Sequence, residues 1–294
     1  MIRGRIIRGM GGLYTAKDAA GEEYVLRAKK KFRRMHLTPL VGDEIWLTRG
    51  EISDEHGWIE EILPRKTECF RPPVANVSLL AIVIAPQPEP DLLLVDKMLI
   101  LAHRSGLKCM VIVNKTDLDG QLYDKIRQQY ALSGAQVMPA CAEKQMGLEE
   151  LKRIFGGETV CFCGQSGVGK STLLNALLQL HVETGEISRK ILRGKNTTRH
   201  AELFDAGSFQ VMDTPGFSLL EMQTEPEDPV LLQDAYPEFE PFKGECRFQP
   251  CFHDKEPGCA VLEAFKNGQI APERVDRYHI LLHEMRQVWR NRYD

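Results

Sequence analysis

The sequence predicts an α/β fold whose strand and helix units are cyclically permuted, with a small β-barrel before them and a helical segment after them. Three observations lead to this prediction. Apolar runs typical of buried strands end at three polar motifs, at 114–117, 164–171 and 213–216. The glycine-rich motif at 164–171 follows the motif at 114–117 instead of preceding it, which indicates a chain that has been cut and rejoined. A Cys/His cluster at 246–259 then falls in a segment with little strand or helix pattern.

The barrel prediction comes from the N-terminal part of the chain. Short runs rich in strand-forming residues at 2–8, 23–28, 43–48 and 58–63 are separated by glycine or polar turns. At 27–34, six Lys or Arg residues crowd around Phe32. Such a run is an electrostatic contact for RNA or simply a solvated surface, and the sequence leaves both possibilities open.

The motif GQSGVGKS is a phosphate-binding loop. The apolar run 159–163 reads as a buried strand, and the residues after Ser171 continue as a helix. In such a loop the backbone N–H groups point at phosphate oxygens, and the helix N-terminus favours the same anion. Lys170 is placed to pair with the β and γ phosphates, and the hydroxyl of Ser171 to bind Mg²⁺.

The motif Asn-Lys-Thr-Asp at 114–117 predicts the residues that recognise the base of a bound nucleotide. It follows the apolar run Val-Ile-Val, and a carboxylate at Asp117 can accept hydrogen bonds from both N1–H and the amino group of guanine, which adenine does not offer. Cys141 and Ala142 stand where a backbone N–H would reach the guanine oxygen. A helix cap before the helical stretch 121–132 is the structural alternative for Asp117.

Two further segments predict contacts to Mg²⁺ and the γ phosphate. Asp213 ends an apolar run and is placed to hold Mg²⁺ through water, while the N–H of Gly216 can sense the γ phosphate. In the polar stretch 188–199 we expect Thr198, rather than Thr197, to close on the metal. An ordinary turn at 213–216 and a solvated loop at 188–199 are the alternatives.

The C-terminal segment predicts a structural metal site. Cys246, Cys251, His253 and Cys259 supply three thiolates and one imidazole, a closed tetrahedral shell for one Zn²⁺, and scattered reduced cysteines are the alternative. Helices are expected at 228–236, 260–266 and 273–293. The last carries Arg274, Arg277, Arg286, Arg290 and Arg292, which suit either a phosphate backbone or a solvated amphipathic helix.

Composition limits the classes of function. The formal net charge of −3 over 294 residues excludes a uniformly basic nucleic-acid coat, so any RNA contact must be local. We expect no secretory leader and no membrane-spanning run, and eight cysteines indicate a reducing cytoplasm. We place domains at 1–66, 67–224 and 225–294 and expect a monomer.

The order NKTD, GQSGVGKST, NTTRH, DTPGF and CRFQPCFHDKEPGCAV resembles the RsgA (YjeQ) family of circularly permuted GTPases over essentially the whole chain. The resemblance implies an N-terminal OB-fold, a central P-loop GTPase domain and a C-terminal helical zinc domain. It also implies an enzyme that binds the 30S ribosomal subunit and its 16S rRNA, assists late subunit maturation, and hydrolyses GTP to GDP when stimulated by that subunit. The expected nucleotide contacts are Asn114, Lys115, Asp117, Cys141, Ala142, Gly164, Ser166, Gly167, Gly169, Lys170, Ser171, Thr172 and Asp213.

One departure from the family pattern affects the chemistry. The family often has a histidine before the two switch threonines, whereas this chain has Asn196, which can orient water but cannot act as a base. Phe217 stands where many GTPases carry a water-orienting Gln, and a phenyl ring has no group for that task. We therefore expect Lys170, Thr198 and Gly216 to act in catalysis, Asn196 at most to orient water, and unaided hydrolysis to be slow, with His200 or a ribosomal group completing the site on the partner.

Two other classes of function remain open at this stage. A non-hydrolysing, nucleotide-dependent RNA-binding scaffold would keep every module but release no phosphate. A small-molecule kinase would share the phosphate loop, although the guanine motif argues against it.

Overall fold

The computed structural model describes residues 1–50, 56–70, 73–179, 201–213 and 228–291. Its N-terminal part is a five-stranded barrel. The strands are β1 (Ile2–Met10), β2 (Leu13–Asp18), β3 (Glu23–Ala28), β4 (Glu44–Thr48) and β5 (Gly57–Ile62), with the short helix α1 (Lys30–Arg34) between β3 and β4. They pair in the order β1-β2-β3-β5-β4, and β4 pairs back onto β1, so the barrel is closed as in an OB-fold.

The barrel is held by side chains that alternate inward along its strands. Ile6, Leu26, Ile45, Leu47 and Ile59 are completely buried. Strand β2 was missing from the sequence prediction, because its residues LYTAKD do not alternate clearly between apolar and polar.

A two-stranded hairpin, β6 (Glu68–Phe70) and β7 (Pro73–Ala75), leads into the central sheet. Five parallel strands form that sheet, and one antiparallel strand completes it. They are β8 (Leu79–Ile84), β9 (Lys108–Val113), β10 (Gln136–Pro139), β11 (Thr159–Cys163), β12 (Glu202–Asp205) and β13 (Gln210–Asp213), in the order β10-β9-β8-β11-β13-β12. Among the described strands of this sheet, β12 alone is antiparallel, and it pairs with β13.

Helices cover both faces of this sheet. On one face lie α2 (Leu92–Arg104) and α3 (Gln121–Gln129), and on the other lie α4 (Leu148–Phe155) and α5 (Lys170–Gln179). Strand β8 serves both faces: Leu80 and Ile82 belong to the first buried cluster, and Leu79 and Ala81 to the second. A strand buried on both sides reads as a continuous apolar run, which explains the sequence LLAIVI. The α/β fold predicted from the sequence is therefore present, with the sheet between two layers of helices.

The barrel and the central sheet share hydrogen bonds. Arg8 of β1 pairs with Glu202 of β12, so the strands form one continuous sheet. The guanidinium of Arg5 reinforces the junction by donating to the carbonyl oxygens of Gly42 and Asn76 and to the hydroxyl of Thr159, each at 3.1 Å, and to the side chain of Gln210. Each nitrogen of this half-buried guanidinium thereby donates at least one hydrogen bond.

The C-terminal part contains two 3-10 helices, Pro229–Ala235 and Pro237–Phe242, followed by α6 (Ala260–Lys266) and α7 (Pro272–Arg290). It packs on α2 through four buried charged residues, named here the buried charge cluster: Asp96, Glu238, Arg274 and Arg277. Asp96 pairs with Arg274 at 2.6 Å and with Arg277 at 2.7 Å, and Glu238 pairs with Arg274 at 2.6 Å.

This cluster corrects one interpretation of the sequence. Arg274 and Arg277 lie in the protein interior and are paired there with carboxylates, so they are not available to a phosphate backbone. Arg286 of the same helix pairs with Asp254 at 2.7 Å. Within the described ranges, no helix is both long and apolar enough to cross a membrane.

Candidate functional site

The predicted nucleotide contacts lie at one edge of the central sheet. Because β8, β9, β10, β11 and β13 are parallel, their carboxyl ends meet at the same edge. Asn114 follows β9, Gly164 follows β11, and Asp213 ends β13. Ligands of open α/β sheets bind at this edge. Motifs that are far apart in the sequence are thus neighbours in the fold.

The phosphate loop depends on glycine at two positions. Gly164 has φ +125°, and a Cβ there would lie 2.1 Å from the carbonyl oxygen of Val83 on the neighbouring strand. Gly169 has φ +93°, and a Cβ there would lie 2.5 Å from Nδ2 of Asn114. At both positions the backbone conformation and the lack of space exclude a side chain.

Lys170 curls back over the loop. Its Nζ donates to the carbonyl oxygens of Gly164 and Gln165, both at 2.7 Å. Burial lowers the pKa of this lysine below its ordinary value. The ammonium group is therefore held across the mouth of the loop by weak, neutral acceptors that phosphate oxygens can replace.

The base-selecting motif is joined directly to the phosphate loop. The buried amide of Asn114 donates to the carbonyl oxygen of Val168 at 2.9 Å and accepts from the backbone N–H of Ala142 at 3.3 Å. Nζ of Lys115 donates to the carbonyl oxygen of Gly167 at 2.8 Å. Asn114 and Lys115 are therefore fastened to the phosphate loop by direct hydrogen bonds.

The surroundings of Asp117 favour its ionised carboxylate, which accepts hydrogen bonds. The thiol of Cys141 donates to its Oδ1 at 3.1 Å, and the ammonium of Lys144 lies 3.4 Å from its Oδ2. The hydrogen bond from Cys141 is the largest cause that holds the pKa of Asp117 below its ordinary value, with a smaller contribution from Lys144. The carboxylate is thus ionised near neutral pH.

Asp117 and the phosphate loop open into one cavity. This cavity of about 190 Å³ is lined by the base-selecting residues Asn114, Lys115, Asp117, Cys141 and Ala142, together with Gly169 and Thr172. The cavity joins the base-selecting side of the site to the start of α5.

Sequence reasoning missed two side chains of this site. It expected a backbone N–H from the pair Cys141 and Ala142 but no role for the side chain of Cys141. The N–H of Cys141 donates to the carbonyl of Met146 at 3.0 Å, and its thiol reaches Asp117. It gave no role to Gln165, whose side chain accepts from the N–H of Asp91 at 2.9 Å and donates to the carbonyl of Glu89 at 3.2 Å. Asp91 caps α2, so Gln165 fastens the phosphate loop to the start of that helix.

The metal-facing side of the site is described in part. Ser166, Gly167 and Ser171 are exposed at the loop and the first turn of α5, and Asp213 ends β13 beside β11. The predicted residues Asn196, Thr197, Thr198, His200, Gly216 and Phe217 lie outside the described residues, so their roles stay predictions.

A second site lies in the C-terminal part. Cys246, Cys251, His253 and Cys259 are all buried, and their ligand atoms lie within 4.8 Å of one another. Nδ1 of His253 lies 3.3 Å from the sulfur of Cys259 and 3.7 Å from that of Cys246. Scattered cysteines would not converge in this way, so that alternative is wrong.

The donors around this site fit a soft or borderline metal cation. Nε2 of His253 lies 2.8 Å from Oε1 of Gln233, which assigns the proton to Nε2 and leaves Nδ1 as the ligand atom. Burial lowers the pKa of His253 and raises that of Cys251 to about 12. A neutral imidazole is the ligand form, and a thiol with the pKa of Cys251 needs a bound cation to ionise near neutral pH.

Comparisons with known proteins identify the family of the chain. The family model for the RsgA GTPase matches residues 62–223, and the model for the RsgA N-terminal domain matches residues 3–59. The small ribosomal subunit biogenesis GTPase RsgA of Ruminiclostridium cellulolyticum is 40% identical over 290 residues, which cover 97% of this chain and 94% of the relative. RsgA 2 of Oceanobacillus iheyensis is 39% identical over 301 residues and covers 100% of both chains.

Solved structures give the same result. YjeQ from Thermotoga maritima superposes with a TM-score of 0.81 at 31% identity, covering 97% of this chain and 98% of the other. YloQ, described as a circularly permuted GTPase, superposes with a TM-score of 0.79 at 29% identity, covering 98% of this chain and 96% of the other. The chain therefore belongs to the RsgA family of circularly permuted GTPases.

Proposed function

We propose that this protein hydrolyses GTP to GDP and phosphate in the maturation of the small ribosomal subunit. The observation that carries the proposal is the single cavity that Asp117 shares with Gly169 and Thr172. The cavity is lined by the base-selecting residues and by Gly169 and Thr172, and Lys170 and Ser171 stand between these last two in the chain. A guanosine nucleotide with its base in this cavity would therefore have its phosphates at the phosphate loop.

Guanine selection rests on Asp117. Its ionised carboxylate can accept from N1–H and from the amino group of guanine, whereas adenine presents an unprotonated N1. In this proposal Asn114, Lys115, Cys141 and Ala142 surround the base. Asn114 and Lys115 also hold the base site in register with the phosphate loop.

Phosphate binding rests on Lys170 and the loop amides. The ammonium exchanges the carbonyls of Gly164 and Gln165 for β and γ phosphate oxygens, and the N–H groups of the loop, including those of Ser166, Gly167 and Gly169, stabilise the charge that develops as the γ phosphate leaves. Ser171 and Thr198 would hold Mg²⁺ directly and Asp213 through water, and the ion supplies charge neutralisation at the β and γ phosphates.

Neither Asn196 nor Phe217 can take a proton from the attacking water at neutral pH. Asn196 can orient it by hydrogen bonding, the N–H of Gly216 binds the γ phosphate, and a group such as His200 or one supplied by the ribosome completes the site. Slow hydrolysis alone and faster hydrolysis on the partner follow from this arrangement.

The cysteine and histidine site is assigned to one structural Zn²⁺. Three thiols and one imidazole complete a four-coordinate shell and leave no open position for water, so Cys246, Cys251, His253 and Cys259 would stabilise the C-terminal fold and not catalyse.

In this proposal the partners of the protein are the 30S subunit and its 16S rRNA. The protein acts as a monomer, and it acts in the cytoplasm. The support is that the relatives from R. cellulolyticum and O. iheyensis are named small ribosomal subunit biogenesis GTPases. A non-hydrolysing RNA-binding scaffold is the alternative.

Phosphate release measured with the protein alone and with 30S, 50S and 70S particles tests the proposal. We expect marked stimulation by 30S and little by 50S. GTP binding without phosphate release under any of these conditions would favour the scaffold, and phosphate transfer to a small acceptor would favour a kinase.

A further inference from the structure

The outer face of the barrel carries an exposed tryptophan among unpaired cations. Trp58 of β5 is 37% exposed, and no other aromatic ring or cation of the described residues packs on it. In the parallel pairing of β3 with β5 it stands opposite Arg27, and in the pairing of β4 with β5 opposite Thr48. Facing residues of neighbouring strands lie on the same side of the sheet, so Arg27 and Trp58 share one outward face.

The cations beside Trp58 are free of carboxylates. Within the described ranges, Arg27, Lys30, Lys31, Arg33 and Arg34 are exposed and make no ion pair, whereas Lys29 is paired with Glu60. Other surface arginines of the barrel are neutralised: Arg3 by Glu44, and Arg8 by Glu23 and Glu202. The positive charge is therefore concentrated at α1 and the end of β3.

Two further details distinguish this face from an ordinary solvated surface. Val25, two residues before Arg27 on the same side of β3, is 46% exposed, so the face combines apolar and cationic groups. Phe32 is buried beneath α1 and anchors the helix, which holds its cations against the barrel.

We propose that this face, with Trp58 at its centre, binds single-stranded RNA and that an unpaired base stacks on the indole ring of Trp58. The inference rests on the proposed function for the choice of RNA, and it adds the mode of recognition. Each base has a flat π face that an exposed aromatic ring can cover, and this face is accessible only when the base is unpaired. Arg27 stands beside Trp58, and the four exposed cations of α1 follow it closely in the chain, so these five cations supply contacts for the backbone phosphates.

An anisotropy titration with a fluorescein-labelled oligouridylate, and with the same strand annealed to its complement, tests the proposal. We expect Trp58→Ala to weaken single-strand binding about tenfold and to leave duplex binding unchanged, because stacking on one aromatic ring is lost. Trp58→Phe keeps a ring and should retain most of the affinity. Arg27→Gln should weaken both RNAs and reduce the salt dependence of binding.

The matched control is Phe248→Ala. Phe248 is 51% exposed and lies next to Arg247, whose guanidinium is 5.4 Å from the ring centroid, but it belongs to the C-terminal part. Its loss should leave oligouridylate binding unchanged. Equal losses for the Trp58 and Phe248 variants, equal losses for Trp58→Ala and Trp58→Phe, or displacement of the RNA by polyglutamate at matched charge would each overturn the proposal.

A spectroscopic measurement reports the stacking directly. The chain has three tryptophans, so a Trp46→Phe/Trp289→Phe variant leaves Trp58 as the sole indole. Its emission should be quenched by the single strand and not by the duplex. Unchanged emission at saturating single strand would exclude stacking.

The same proteins assayed for GTP hydrolysis with 30S particles separate the two proposals. If 30S particles stimulate hydrolysis but oligouridylate binding does not depend on Trp58, the stacking proposal is rejected and the proposed function is kept. If oligouridylate binding depends on Trp58 but 30S particles do not stimulate GTP hydrolysis, the proposed function is rejected and the stacking proposal is kept.

Discussion

Asp96 is expected to decide whether the C-terminal part stays attached to the GTPase domain. Its carboxylate is completely buried, lies 2.6 Å from Arg274 and 2.7 Å from Arg277, and accepts from the hydroxyl of Tyr130 at 2.7 Å. Because Asp96 and Arg274 are almost completely buried, solvent can compensate little for the carboxylate if it is removed.

The structure sets the size of the effect. Asp96→Ala leaves Arg277 without a carboxylate partner and Arg274 with Glu238 alone. Breaking a buried pair by removing one partner costs about 3–5 kcal/mol, because an uncompensated charge remains inside the protein. In the intact protein burial lowers the pKa of Arg274, and the carboxylates of Asp96 and Glu238 raise it by more. Asp96→Ala removes the larger of these two raising effects, and because arginine stays protonated in proteins, its charge is left with less compensation.

The assay follows unfolding of α7 through Trp289, in a Trp46→Phe/Trp58→Phe variant with Zn²⁺ present throughout. The matched control is Glu150→Ala, which breaks the exposed pair of Glu150 with Arg153 and should change the stability little, because water screens that pair. We expect the urea midpoint reported by Trp289 to fall clearly for Asp96→Ala and hardly for Glu150→Ala. Equal midpoints for the two variants would show that the buried charge cluster does not hold the C-terminal part in place.

Three further predictions concern the two sites. Gly169→Ala should weaken GTP binding by more than tenfold without unfolding the protein, because its Cβ would displace the amide of Asn114; an unchanged Kd by equilibrium titration would contradict this. The hydrogen bond from Cys141 stabilises the ionised carboxylate of Asp117 and lowers its pKa. The selectivity of the protein for GTP over ATP should therefore persist as the pH falls to the ordinary carboxyl range, and it should be lost only below that range. Cys141→Ala should move that loss to higher pH, whereas Cys141→Ser keeps a donor and should not, as titrations at several pH values would reveal. Cys259→Ala should release the metal and lower the thermal stability of the C-terminal part while phosphate release by the protein alone persists; retention of stoichiometric Zn²⁺ by elemental analysis would contradict the assigned ligand set.

Much of the nucleotide site could be predicted from the sequence because its chemistry is local. A phosphate loop needs glycines, a lysine and a hydroxyl at fixed spacing, and the permuted order of the motifs is visible in the chain itself. Spacing likewise identified the four metal donors, since they lie within fourteen residues. The domain limits at 66/67 and 224/225 stay predictions.

The contacts that the sequence did not reveal join residues far apart in the chain. Nothing near Cys141 indicates that its thiol faces Asp117, and nothing near Gln165 indicates that it holds the start of α2. These contacts arise because parallel strands bring their carboxyl ends together, and the order of those strands is a property of the sheet.

The residue types and their spacing thus determined by themselves which groups can bind a nucleotide or a metal. Tertiary structure alone decided which charges remain available to a partner. Arg277 and Arg27 look alike in the sequence, yet one is paired with the buried Asp96 and the other lies exposed beside Trp58. The physical reason is that the free energy of a charge depends on its burial and on its nearest counter-charge, which for Arg277 stands on a different domain of the chain.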